Sequence, residues 1–154
     1  MRTWVALVAF TIGCGGGTVS THVETIPPDV RAAVRADVAL YVDELARLET
    51  ASECADMMPD ELAAELVDIV FRPVSPLEPT IREVEARYTR VSTPPCLDVS
   101  SATTGCPAPT RSAETVIVRF VPIEGGLTID QRGVPRTGCG QELPVLDARV
   151  VPGW

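Results

Sequence analysis

The chain has 154 residues, 45% of them apolar and 22% charged, with a formal charge of −8. Its thirteen basic residues are all Arg and face 21 acids, so a nucleic-acid partner, which needs a positive surface, is not expected. One histidine, His22, and five cysteines leave little room for imidazole chemistry and make disulfides the first question.

The N-terminus carries Arg2, a nine-residue apolar run from Trp4 to Ile12, and then Gly13-Cys14. The run is far short of the roughly 20 residues a membrane-spanning helix needs, and it sits where the apolar core of an export signal belongs. Thr11-Ile12-Gly13-Cys14 resembles the lipobox of bacterial lipoproteins, with Thr11 standing where Leu is usual. That resemblance implies cleavage before Cys14, acylation of its thiol and a bacterial envelope location. Gly15, rather than Asp, after the cysteine resembles the outer-membrane class of enteric sorting. The competing expectation is cleavage after Thr18-Val19-Ser20 and release of a soluble secreted protein. On the lipoprotein reading, residues 1–13 are the signal peptide, 14–27 the anchor and a glycine-rich tether, and 28–154 one domain. Two or three acyl chains hold such a domain at a membrane without further anchor.

Cys54, Cys96, Cys106 and Cys139 remain, an even set that suits two disulfides in an exported chain. Of three possible pairings, Cys96 with Cys106 and Cys54 with Cys139 is the expected one. The first pair brackets a nine-residue loop between prolines, a span a bridge can pinch. With no C-x-x-C and the one histidine in the tether, neither a metal nor a cofactor is expected.

The first half of the domain reads as two helices. After Pro27-Pro28 and Asp29, the apolar positions Val34, Val38, Tyr41, Leu45 and Leu48 recur every three or four residues. The heptad look lasts under three heptads, so the stripe is expected to pack on the domain's own sheet. A second helix is predicted from Pro59 to Arg72, with Leu62, Leu66, Ile69 and Val70 buried. Glu61, Glu65 and Asp68 would then line its solvent face, as a plain solvated face or a surface for a basic partner. The charge is asymmetric: Asp29 to Asp68 holds eleven acids and three Arg, and the chain from Ile69 onward nine of each.

The second half reads as strands. REVEARYTRV fits strand or helix, and the alternation of Val84, Ala86 and Tyr88 tips it to strand. Ser92 to Ala113 has loop composition, ETVIVRFVP is a strand, Gly125-Gly126 a turn into LTID, and PVLDARVVP a last strand. Arg132 to Gly140 reads as a disulfide-stapled turn, and an anion held by its backbone is the sharper alternative. Trp154 is expected over an edge of the core. The fold class is therefore α+β, two N-terminal helices on a small, mostly antiparallel sheet, stapled by disulfides.

No nucleophile elbow, zinc-protease helix, Walker loop or dinucleotide fingerprint occurs, and a Ser-His or Cys-His pair within the domain cannot be assembled around His22. No catalytic residue is assigned. The expected role is a membrane-anchored, non-enzymatic binding or assembly accessory with a protein partner in the envelope. The alternatives are a small carboxylate-dependent hydrolase, which needs two facing carboxylates in a deep pocket, and a structural spacer.

Overall fold

The computed structural model describes residues 26–53, 60–96, 106–147 and 149–154. The expected export signal, Cys14 and the expected tether, and also Cys54, lie outside them. Helix α1 (Pro28–Ser52) opens on Pro28 with Asp29 in its first turn, where a missing N–H costs nothing and a carboxylate suits the dipole. It closes when Glu53 turns extended and donates its N–H to the Thr50 carbonyl, 3.2 Å away.

Four strands follow as an antiparallel meander: β1 (Glu61–Phe71), β2 (Arg82–Thr93), β3 (Thr110–Ile123) and β4 (Gly126–Ile129), in that spatial order. The α+β class stands, with one helix among the described residues instead of two. The predicted second helix is β1, and a β-bulge explains why it reads as a helix. Leu62, Ala64 and Leu66 point inward at even spacing, then the register slips between Leu66 and Asp68, so Ile69 and Phe71 continue the inward face. The extra residue, Val67, turns a two-residue step into three, and the positions 62, 66 and 69 then mimic a helical stripe. The segment 82–93 is a strand, as its alternation indicates. The Ser92–Ala113 loop is shorter than expected, because β2 runs on through Thr93 and β3 begins at Thr110.

The core lies between α1 and the inner face of the sheet. Val30, Val34, Val38, Val42 and Ala46 meet Leu62, Ala64, Val84, Ala86, Val118 and Phe120. Each fully buried valine contributes about 2 kcal/mol by leaving water. The buried stripe runs at steps of four, and the expected Tyr41, Leu45 and Leu48 lie beside it. They face a second, smaller cluster with Val134 and Leu146 from the C-terminal segment, so the helix is covered on two sides.

The last expected strand is not one. Among the described residues from Pro144 onward only Val151 pairs, exchanging both backbone bonds with Leu127. Pro144 and Pro152 have no N–H to give a ladder, and the Leu146 carbonyl is taken by the Gln131 side chain at 3.2 Å. Arg132 to Gly140 includes a tight turn between β5 (Thr137–Gly138) and β6 (Gln141–Glu142), with Cys139 and Gly140 at positive φ. Trp154 folds back edge-on to Phe120 and Phe71, with centroids 4.8 and 5.4 Å apart.

Candidate functional site

The edges of the sheet decide what is left for function. In β1 the N–H groups of Leu62 and Ala64 point away from β2, and α1 meets them: the Thr50 hydroxyl accepts from Leu62 at 3.1 Å and Asp43 accepts from Ala64 at 3.3 Å. Arg35 donates to the Val67 carbonyl at 2.9 Å, at the bulge. The helix thereby covers the first part of an edge that would otherwise invite pairing.

Farther along the inner face, a polar group ties α1 to β2 and β3. The Tyr88 hydroxyl donates to Glu114 at 2.8 Å, Ser112 donates to the same carboxylate, and Arg90 stands 3.1 Å from Glu49 and 4.0 Å from Glu114. Burial, reinforced by the hydrogen bond to Glu114, pushes the Tyr88 hydroxyl up to about 12. Tyr88 is thus a fixed proton donor at neutral pH and no base. The gap beside it, lined in part by Val42 and Val116, is about 10 Å³, the room of one water molecule.

A second small pocket, about 20 Å³, holds Asp37, Tyr41, Glu44 and Arg149. Burial raises the Asp37 carboxyl, and the Arg149 charge acts against that rise. The pocket has room for a water molecule and not for a sugar ring.

A groove of about 390 Å³ lies between the last turns of α1 and the segment after β6. Its floor is apolar, from Leu48, Ala51, Pro144 and Leu146, and Val145 stands 68% exposed at its lip. Glu44, Arg47 and Asp147 supply charges around it. Its volume is that of a small-ligand site. Sequence reasoning missed both this groove and the Tyr88 group. Tyr88 lies 26 residues from Glu114, and only strand pairing brings them together.

The acids expected on one helix face stand on β1. Glu61 is exposed beside Thr93, Glu65 pairs with Arg111 at 3.0 Å, and Asp68 pairs with Arg35 at 3.6 Å. The acidic half of the sequence is thus interleaved with arginines from α1 and β3. No described His, Cys, Asp or Glu cluster could hold a metal ion.

Cys96 and Cys106 are disulfide-bonded, with Cα atoms 5.0 Å apart, in the connection that joins β2 to β3. Cys139 is disulfide-bonded as well, at its turn. The expected pairing of Cys54 with Cys139 reaches outside the described residues. In the Arg132 stretch, Arg132 is bound to Asp130, whose carboxyl it holds below its usual range. Arg136 donates to the Gln131 carbonyl at 3.4 Å. Both arginines of the stretch are thus engaged within the chain.

Comparison with protein-family models, curated proteins and solved structures gives no match.

Proposed function

We infer that this chain is a bacterial envelope lipoprotein, anchored through acylated Cys14, whose domain is a non-enzymatic binding or assembly accessory. The observation that carries the reading is the Cys96–Cys106 disulfide. Such bonds persist outside the reducing cytoplasm, and the apolar run ending at Gly13-Cys14 is the feature that would take the chain there. No described helix is long and apolar enough to cross a membrane, and a lipid anchor would supply the attachment. Binding is favoured over hydrolysis by the open apolar groove and by the small size of the pocket around Asp37. Glu61, Glu65 and Asp68, exposed along β1, are the acids offered to a basic partner. Two of them would exchange an internal arginine for the partner's.

Intact mass of the mature protein from its native membranes, unreduced and with free thiols blocked, tests the anchor. The expected species begins at Cys14, carries acyl chains and has no blocked thiol. A lipid-free species beginning near Thr21 overturns it. The partner surface is tested by a pull-down with Glu61→Gln, Glu65→Gln and Asp68→Asn combined, which is expected to lose its partner. Undiminished recovery counts against that surface.

A further inference from the structure

We propose that β3 is the dimerisation edge of this protein, pairing antiparallel with β3 of a second copy about a two-fold axis at Ala113. Strand β3 has 14 residues, but β4 covers only Phe120 to Ile123. The Arg119 carbonyl accepts from the Asp130 N–H on the β4 side, which sets the parity. Odd-numbered residues of β3 direct N–H and C=O toward that side, and even-numbered ones bond to β2. Arg111, Ala113, Thr115 and Ile117 therefore present a row of donors and acceptors that no described residue meets, and all four are exposed.

The contrast within the sheet is informative. The β1 edge is met by α1 at Leu62, Ala64 and Val67, through Thr50, Asp43 and Arg35, and the short β4 edge at Leu127 by Val151. The β3 edge carries no bulge, and its proline, Pro122, lies beyond the free stretch. Backbone groups in this geometry select an extended strand.

Side-chain register selects a second copy and its axis. Centring on Thr115 would oppose Arg111 to Arg119 and run into the carbonyl already held by Asp130. Centring on Glu114 would oppose two carboxylates. Centring on Ala113 sets alanine against alanine, Arg111 against Thr115, and the Ser112 hydroxyl against the Glu114 carboxylate, so each end of the ladder gains a compatible polar pair. The ladder then ends where Pro109 falls opposite Ile117, with no N–H left to satisfy.

The test is a charge swap at the axis in the otherwise intact mature protein, read by sedimentation equilibrium. Ala113 is exposed, so Ala113→Lys and Ala113→Asp should each keep the wild-type circular dichroism. Each alone is expected to weaken self-association roughly fivefold, because it opposes like charges across the axis. Mixing the two should restore a heterodimer. Amide exchange supplies a second reading: rising protein concentration should slow Ala113, Thr115 and Ile117, with Ser112, Glu114, Val116 and Val118 already slow. A monomer at all concentrations overturns the proposal. So does a dimer unaffected by either variant, or protection of the odd-numbered amides only by a different protein's segment.

Discussion

The carboxylate of Asp43 in α1 accepts a hydrogen bond from the backbone N–H of Ala64 in β1, 3.3 Å away and 21 positions along the chain. The contact joins the two layers at the sheet edge. Asp43→Ala leaves that N–H without its partner and is expected to cost about 1 kcal/mol, with Asp43→Asn costing less because an oxygen remains. Urea unfolding of the three proteins measures both.

Phe120 is fully buried between the sheet and Trp154. Phe120→Ala removes its burial and leaves a cavity under the indole, with an expected loss of about 3–5 kcal/mol. Thermal unfolding measures the loss. Trp154 is the only tryptophan after the N-terminal run, so its emission should shift to the red in the folded variant.

Tyr88 predicts a stability window at alkaline pH. Burial and then the Glu114 hydrogen bond raise its folded value to about 12, from 10.0. Below pH 10 the hydroxyl is protonated in both states and the contribution is whole. Above it the unfolded chain releases the proton first, so stability falls as pH rises toward 12. Unfolding free energies across pH 9 to 12 should fall less in Tyr88→Phe, and equal slopes would show that folding does not raise the Tyr88 hydroxyl.

The Cys96–Cys106 bridge spans ten positions between two paired strands. Replacing both residues with Ser is expected to cost about 3 kcal/mol on the chain-entropy account. The midpoint of unfolding should fall toward that of the fully reduced protein, and the response to reductant that remains belongs to the disulfide of Cys139.

Gly138 packs against the end of α1, where an added Cβ would stand 2.5 Å from the Ala51 carbonyl oxygen. Gly138→Ala must displace backbone and is expected to cost about 1–3 kcal/mol. Amide chemical-shift changes should centre on the last turn of α1.

The first helix, the strand character of 82–93, the strand around Val118 and the turn at Gly125-Gly126 were legible, because periodicity, proline and glycine act over a few neighbouring residues. Segment 61–71 was not. Ala63 and Ala64 favour helix locally, and the Val67 bulge breaks the alternation that would have marked a strand. The C-terminal run failed for the opposite reason: its valines favour strand, but its prolines and the four-residue length of β4 leave one bridge.

The sequence by itself determined the charge, the even cysteine set after Cys14, the α+β class and the hairpin loop that Cys96 and Cys106 close, all properties of composition or short spacing. Tertiary structure alone decided that Asp43 and Thr50 cover the β1 edge, that Arg111 and Arg35 neutralise Glu65 and Asp68, and that Tyr88 meets Glu114. Those pairings depend on strand register and on where the helix rests, and no local preference encodes either.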